Sequence, residues 1–209
     1  MYILVGAGGH ARVILDILLK EKKKVLGFID DNKVGTYEDF PIVGTTADTE
    51  TILGENSSLK FIICVGDNQI RERIANTLNN YNVEYGNAIH PSAEIGSGVK
   101  LGFGTVVMAN VVVNHSAHVG NHAIVNTAAT VDHDCEIGDF VHISPGAHLA
   151  GSVMIRKGCH IGIGSSIIQN ITVGPSSIIG AGAAVVSNIE GNALAVGVPA
   201  KIIKKRSDT

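Results

Sequence analysis

The stretch "VNTAATVDHDCEIGDFVHISPGAHLAG", residues 125–151, places an aliphatic residue at every sixth position. The same period extends in both directions and covers positions 89 to 185 without a break. The position four residues after each aliphatic one is mostly small or apolar, and Cys135 and Cys159 fall there. A period of six is not that of an amphipathic helix and is typical of a β-helix, in which each hexad forms one short strand and a turn. The aliphatic residues then point inward and the small ones fit the corners.

The triplet Asp132-His133-Asp134 interrupts this otherwise apolar stretch. All three residues fall outside the aliphatic and small positions of the hexad, so we predict that they are exposed. Histidine titrates near neutral pH and can accept a proton from an attacking nucleophile, and a neighbouring carboxylate can orient it. A lone surface histidine would be the ordinary interpretation, but the flanking carboxylates favour a general base at His133.

The first part of the chain follows a different rule, because strand and helix patterns alternate. "YILVGAG", "KVLGFIDD" and "KFIICVGDN" read as buried strands, whereas "HARVILDILLKEKK" and "QIRERIANTLNNY" have helical spacing. This alternation predicts a small parallel sheet with helices packed on it. We therefore predict an α/β domain over residues 1–86, a β-helix over 87–190 and a C-terminal tail over 191–209.

The loop "GAGGHAR" lies between the first strand and the first helix, where backbone N–H groups and a helix N-terminus can hold a phosphate. Gly6, Gly8 and Ala11 also fit G-x-G-x-x-A, and Asp30 ends the next strand, as in dinucleotide-binding folds. An oxidoreductase is therefore an alternative, which NAD binding would reveal. Against it, we expect too few strands for a dinucleotide fold and no hydride-transfer pocket in a β-helix.

Composition excludes several classes of protein. A formal net charge of -3 argues against a nucleic-acid or anionic-membrane surface. We find no leader pattern and no apolar run long enough to span a bilayer, and we predict a cytoplasmic protein without membrane insertion. The 3 cysteines contain no CxxC pair and the 9 histidines show no His-carboxylate helix pattern, so we predict neither a disulfide framework nor a metal site.

The hexad pattern resembles the left-handed parallel β-helix of hexapeptide-repeat acyltransferases, in which three hexads form one coil. The motifs "GAGGHA", "DHDC", "GDFVHISPGA" and "GVPAK", in that order, are similar to those of bacterial nucleotide-sugar acetyltransferases related to the sialic acid O-acetyltransferases. That group includes the UDP-4-amino-sugar N-acetyltransferases of bacillosamine-type pathways. The resemblance implies a Rossmann-like nucleotide-binding domain followed by a left-handed β-helix. Residues 18 apart would then stack, as His115 on His133 and His142 on His160, and we expect all four histidines to project outward.

The resemblance also implies roles for individual residues. His133 matches the family's general base, and Asp134 matches the acidic residue after it, usually a glutamate, that polarises the imidazole. The residues that the resemblance assigns to the nucleotide-sugar substrate are Gly8, Gly9 and His10 at the phosphate and sugar, Asp30 and Asp31 at the uracil or ribose, Gly66 at the nucleotide, and Asn126 near the acceptor amine. The residues assigned to acetyl-CoA are His142, Gly151 with its N–H towards the thioester carbonyl, and Ile163 and Ala181 along the pantetheine.

The function implied is direct acetyl transfer from acetyl-CoA, the co-substrate, to the amino group of a UDP-linked 4-amino-4,6-dideoxy sugar. The product would serve surface glycan or polysaccharide biosynthesis. The resemblance implies a homotrimer with active sites between subunits, and no metal. One rival function is O-acetylation of a sialic acid or another glycan hydroxyl by the same His-Asp pair. Another is a catalytically silent scaffold, which would have no reason to bind CoA.

Overall fold

The computed structural model describes residues 1–56 and 58–205. The chain divides into two compact units, Met1–Pro91 and Ser92–Thr209. The sequence-based boundary after residue 86 precedes a short strand at Ala88–Ile89 that contacts the first helix, Gly9–Lys20. That strand therefore lies within the first unit, Met1–Pro91. Within the described residues, no helix is both long and apolar enough to cross a membrane.

The first unit is an α/β layer structure. Its elements are β1 Tyr2–Val5, α1 Gly9–Lys20, β2 Val25–Ile29, β3 Thr36–Tyr37, β4 Phe40–Gly44, a 3₁₀ turn Thr46–Asp48, α2 Thr49–Glu55, β5 Lys60–Ile63, α3 Asn68–Asn79, β6 Glu84–Tyr85 and β7 Ala88–Ile89. Six of these strands form one sheet in the order β3-β4-β2-β1-β5-β6, parallel except for the β3–β4 pair. This is the predicted Rossmann-like domain.

The sequence-based expectation of few strands was wrong, because the sheet also contains β3, β4 and β6. Periodicity missed them for physical reasons. β3 and β6 are two residues long, and β4 contains Pro41 and lies next to the sheet edge, where proline is tolerated. Strand number is therefore no argument against a dinucleotide fold in this chain.

The core of this unit lies between the central strands and α1. All four residues of β1 are buried, as is the apolar face of α1, formed by Ala11, Ile14, Leu15, Ile17 and Leu18. α3 begins at Asn68, where the side chain of Asp67 accepts a hydrogen bond from the Ile70 N–H at 2.9 Å. That capping bond fixes the loop that follows the carboxyl end of β5.

The second unit is the predicted left-handed parallel β-helix, a three-sided prism of two-residue strands. Face 1 contains β10 Val106–Val107, β13 Ile124–Val125, β16 His142–Ile143, β19 His160–Ile161 and β22 Ile178–Ile179. Face 2 contains β8 Glu94–Ile95, β11 Val112–Val113, β14 Thr130–Val131, β17 His148–Leu149, β20 Ser166–Ile167 and β23 Ala184–Val185. Face 3 contains β9 Lys100–Leu101, β12 His118–Val119, β15 Glu136–Ile137, β18 Met154–Ile155 and β21 Thr172–Val173.

The hexad residues lie where the sequence pattern predicts. The aliphatic residues from Val107 to Val185 are buried inside the prism, and Cys135 and Cys159 are wholly buried at corner positions. Successive coils pair in register, so that Val125 lies against Ile143 and Ile143 against Ile161. Parallel pairing of this kind gives a rigid surface on which outward side chains have fixed spacings.

The segment predicted as a C-terminal tail contains two further strands, β24 Ala193–Val196 and β25 Lys201–Lys205. β24 pairs parallel with β22 and extends face 1, and β25 returns antiparallel to β24. The hexad period ends before this segment, but Ala193 and Ala195 are buried and close the end of the interior. The part of the predicted tail beyond residue 205 lies outside the described residues.

Candidate active site

His133 and Asp134 form a hydrogen-bonded pair in the turn between β14 and β15. The imidazole Nδ1–H donates to Asp134 Oδ2 at 2.8 Å, and the two side chains are 57% and 59% exposed. This bond raises the pKa of His133 above its ordinary value, and the charges of Asp132 and Asp134 add to the effect. Because Nδ1 holds its proton against the carboxylate, Nε2 is the atom that can accept a proton.

Asp132 supports the pair from the other side. Its Oδ1 accepts hydrogen bonds from the His133 N–H at 2.8 Å and from Asn114 Nδ2 at 2.9 Å. These bonds lower the pKa of Asp132 below its usual value. Asn114 was missed in the sequence, although it precedes Asp132 by one coil, and that 18-residue spacing was the available signal.

Gly151 lies one coil after His133, directly beneath the imidazole. A Cβ at this position would lie 2.6 Å from both Cε1 and Nε2 of His133, which is closer than real Cβ contacts. The backbone is held by the Gly151 carbonyl, which accepts from the Asn170 N–H at 3.1 Å, and by the His133 carbonyl, which accepts from the Ser152 N–H at 2.9 Å. The absence of a side chain at Gly151 is therefore what allows the imidazole to occupy this position on the prism.

His115 lies one coil before His133 and is exposed, as predicted, with Nδ1 2.9 Å from Ser97 Oγ. The prediction that His142 is exposed was wrong, since only 9% of it is accessible. It occupies an outward position on face 1, but Asn126 Nδ2 lies 3.1 Å from its Nε2 and the His160 ring packs edge-on at 4.9 Å. These neighbours on adjacent coils cover the ring.

Ile163 and Ala181 lie on another edge of the prism, in the turns that join face 1 to face 2. They are stacked one coil apart and both exposed, Ile163 by 60%. The Ile163 carbonyl accepts from the Gly182 N–H at 2.8 Å. We call these turns, residues 162–165 and 180–183, the Ile163 edge, and the turns that join face 2 to face 3, residues 132–135 and 150–153, the His133 edge. The structure thus brings His133, Asp134 and Gly151 together, and places Ile163 and Ala181 on a different edge.

In the first unit, the loop after β1 and the carboxyl end of β2 are joined by hydrogen bonds. Asp30 Oδ2 accepts from the Ala7 N–H at 2.7 Å, and Asp31 Oδ1 accepts from the Thr46 N–H at 2.7 Å. Both aspartates line a cavity of about 250 Å³ beyond the ends of β1, β2 and β5. Ligands bind at this end of the strands in open parallel sheets.

Gly8, Gly9 and His10 lie at the start of α1, with Gly8 as the residue preceding the helix. A Cβ at Gly8 or Gly9 would have nothing within 4 Å, so the space beside this loop is open. Burial lowers the pKa of His10 to about 4, with a further contribution from the charge of Arg71. His10 is therefore a neutral imidazole at physiological pH, able to form hydrogen bonds but not ion pairs.

The segment from residue 33 to 37 contributes four contacts that the sequence analysis did not identify. Tyr37 donates its O–H to the Gly8 carbonyl at 2.9 Å, and Lys33 Nζ donates to the Ala7 carbonyl. Lys33 Nζ lies 4.8 Å and Arg12 Cζ 5.4 Å from the centre of the Tyr37 ring. Together they hold the loop and place two cations beside it. A polar run between two strands, "DDNKVGTYE", was the only sequence signal.

Gly66 lies in the loop after β5, which is held by a buried arginine. Arg71 is 1% exposed, and its Nη1 donates to the carbonyls of Val65 at 3.0 Å and Gly66 at 3.1 Å. Burial lowers the pKa of Arg71 to about 10, so the side chain remains charged at neutral pH.

Among residues 1–56 and 58–205, no group of three or more His, Cys, Asp or Glu is arranged to hold a metal ion.

Comparison with known protein families and curated proteins relates both units to sugar acetyltransferases. Residues 2–78 match the family model described as the PglD N-terminal domain. The chain is 36% identical over 108 residues to the UDP-N-acetylbacillosamine N-acetyltransferase of Bacillus subtilis, which is 51% of this chain and 50% of that protein. Another curated relative is matched over 20% of its length. The chain therefore spans half or less of the curated relatives it matches.

Solved structures match nearly the whole chain. PerB from Caulobacter crescentus, in complex with CoA and GDP-perosamine, is 35% identical with a TM-score of 0.91, covering 97% of each chain. The acetyltransferase domain of PglB from Neisseria gonorrhoeae, in complex with acetyl coenzyme A, is 37% identical with a TM-score of 0.90, covering 97% of this chain and 98% of that one. The fold is that of a β-helix acetyltransferase with an N-terminal Rossmann-like domain. The chain belongs to the family of bacterial sugar N-acetyltransferases that contains these proteins.

Proposed function

We propose that this protein transfers an acetyl group from acetyl-CoA to the amino group of a UDP-linked 4-amino-4,6-dideoxy sugar, for surface glycan or polysaccharide biosynthesis. The observation that supports it best is the His133–Asp134 pair packed on Gly151. The relatives support the class of reaction, since PerB binds CoA and GDP-perosamine and the B. subtilis relative is named for an N-acetyltransferase. The nucleotide and the sugar are the specific parts of the proposal.

In this mechanism the sugar amine attacks the thioester carbonyl of acetyl-CoA, and His133 Nε2 takes the proton that the amine loses. Asp134 stabilises the imidazolium that forms. The Gly151 N–H is proposed to stabilise the oxyanion until the C–S bond breaks. The His133 imidazolium then gives its proton to the sulfur, and CoA leaves as the thiol. Transfer is direct, because Cys135 and Cys159 are buried and burial raises the pKa of each thiol to about 11.

The nucleotide part of the substrate is proposed to occupy the first unit. Gly8, Gly9 and His10 would contact the phosphate and sugar, because the start of α1 presents backbone N–H groups to an open space. Asp30 and Asp31 would contact the uracil or ribose, since both line the cavity at the strand ends. Gly66 would contact the nucleotide from the loop that Arg71 holds.

The acetyl-CoA part is proposed to need two copies of the chain. His142, Ile163 and Ala181 would contact the co-substrate, whereas resemblance alone assigns Asn126 to the acceptor amine. The His133 edge and the Ile163 edge are different parts of one prism. A second copy of the chain can place its Ile163 edge beside the His133 edge of the first copy, and the two edges then form one site. A closed ring of three copies meets this need with three equivalent sites.

The proposed location is the cytoplasm, in keeping with free cysteines at 64, 135 and 159.

The test is CoA-thiol release from acetyl-CoA with a UDP-4-amino-4,6-dideoxy sugar, comparing wild type with His133→Ala. We expect release by the wild type and a loss of about 100-fold or more in the variant. Release with a sialic acid but not with the amino sugar would replace the N-acetyltransferase proposal by O-acetylation. CoA binding without release from any acceptor would contradict the proposed substrate, and NAD binding without CoA binding would support the oxidoreductase instead.

A further inference from the structure

Asn126 contacts two partners that together define the orientation of its amide. Its Oδ1 accepts a hydrogen bond from the Thr127 N–H at 2.8 Å. Its Nδ2 lies 3.1 Å from His142 Nε2. A backbone N–H can only donate, so the atom facing Thr127 must be the amide oxygen, and the atom facing His142 must be the amide nitrogen.

This orientation determines where His142 carries its proton. An amide NH₂ group only donates hydrogen bonds, so His142 Nε2 must accept. In a neutral imidazole one nitrogen accepts and the other is protonated. His142 is therefore the neutral tautomer with its proton on Nδ1, and an imidazolium would place two donors against each other at Nε2.

The next coil contains a similar contact that lacks this property. Ser144 Oγ lies 3.1 Å from His160 Nε2, and the two pairs have the same separation of 16 residues along the chain. A hydroxyl can donate or accept, so Ser144 is compatible with either tautomer of His160. The Asn126–His142 and Ser144–His160 pairs have the same spacing, but only the amide of Asn126 restricts its histidine to one tautomer.

We propose that Asn126 is a positioning residue that fixes His142 as the tautomer with an accepting Nε2 and a proton on Nδ1. The consequence for the reaction rests on the proposed function, in which His142 contacts acetyl-CoA. Asn126 then acts on the acyl donor through His142, in place of the contact with the sugar amine that resemblance implies. Replacement by aspartate is the informative change, because a carboxylate keeps the Thr127 bond and turns the donor into an acceptor.

The first test is the ¹⁵N NMR spectrum of the full chain with labelled histidine, at a pH of about 8, where imidazoles of ordinary pKa are neutral. His142 is identified by the signal that disappears in His142→Gln. We expect an unprotonated Nε2 in the wild type and a protonated Nε2 in Asn126→Asp, with Ser144→Ala leaving His142 unchanged. A wild-type His142 protonated on Nε2, or an Asn126→Asp spectrum identical to wild type, would overturn the inference.

The second test separates this inference from the proposed function. In steady-state kinetics we expect Asn126→Asp to raise the KM for acetyl-CoA about tenfold, while the KM for the nucleotide sugar changes less than about twofold. The reverse pattern would assign Asn126 to the acceptor and contradict the positioning role. If the protein acetylates no amino sugar, the proposed function fails, but the NMR result still decides the tautomer.

Discussion

At the scale of single residues, the catalytic proposal depends on how a short carboxylate reaches an imidazole. Resemblance leads us to expect a glutamate at position 134, and Asp134 is shorter than a glutamate by one methylene. The backbone at Asp134 is left-handed, with φ of 57°, and its N–H donates to the His115 carbonyl at 3.1 Å. In this turn the carboxylate reaches Nδ1 of His133 at 2.8 Å, so the shorter side chain makes the hydrogen bond that the mechanism needs.

The pH dependence of the reaction should report this bond. The pKa of His133 is raised, chiefly by the Asp134 hydrogen bond, and only neutral His133 can act as a base. Activity should therefore rise with pH through a pKa above the ordinary 6.5 of histidine. In Asp134→Asn the rise should move to lower pH, because the neutral amide favours the imidazolium less. The measurement is kcat/KM against pH, and a rise that stays in place would contradict the role of Asp134.

Gly151 offers a second prediction at this scale. In Gly151→Ala the new Cβ would meet the His133 ring at 2.6 Å, so the imidazole must rotate away from its position. We expect kcat to fall about 100-fold, as for a misplaced catalytic group. The thermal midpoint should change little, because the His133 side chain is exposed and can move. Gly54→Ala, where a Cβ meets nothing within 4 Å, is the control. Full activity in Gly151→Ala would refute this geometry.

At the scale of elements, the glycine loop is shaped by the segment that follows β2. Asp30 holds the Ala7 N–H, while Tyr37 and Lys33 hold the Gly8 and Ala7 carbonyls. Tyr37 is further fixed by an edge-on contact with Phe28 at 5.3 Å between ring centres. The loop conformation is thus set before any ligand binds, which reduces the ordering that binding requires.

Tyr37→Phe tests this arrangement with the loss of one hydroxyl. A single hydrogen bond is worth on the order of 1 kcal/mol, so the KM for the nucleotide sugar should rise about fivefold. The KM for acetyl-CoA should stay the same, because the change lies in the first unit. Tyr81→Phe, the same substitution in the turn after α3, provides the comparison. Equal effects on the two KM values would show that Tyr37 acts through general stability.

At the scale of the whole molecule, the two edges of the β-helix explain why a subunit would associate. The His133 edge contains the proposed base, His133, and Gly151, and the Ile163 edge contains exposed Ile163 and Ala181. A closed ring repeats one heterologous contact, in which each copy presents one edge to the next. Neither edge contains all the residues that the proposed reaction uses.

Co-expression of two inactive variants should reveal shared sites. His133→Ala removes the base, and Ile163→Glu places a negative charge where CoA is proposed to lie. In randomly mixed trimers about a quarter of the sites would combine an intact base with an intact Ile163 edge from the neighbour. We therefore expect about a quarter of wild-type activity from the mixture. No recovery, with mixed trimers confirmed by mass, would place both edges of each site in one subunit.

The parts of the fold that follow from local patterns were predictable. Hexads such as Val125 to Cys135 place one aliphatic and one small residue inward in every strand and turn, and the prism confirms them. The elements β3, β4 and β6 were not predictable in this way, because two-residue strands and a strand with Pro41 have no period to read. They form where the central strands offer hydrogen-bonding partners, and such partners are remote in sequence.

The candidate site divides in the same way. The sequence by itself determined that His133 and Asp134 would be exposed neighbours, because outward hexad positions follow from the steric needs of the inward ones. The 18-residue spacing also placed Gly151 one coil after His133, but only the tertiary structure decided that the imidazole lies against Gly151 and that neighbours cover His142. Those contacts depend on the sizes and orientations of side chains on adjacent coils. One chain's local pattern contains the spacing of such residues, and packing decides what each one touches.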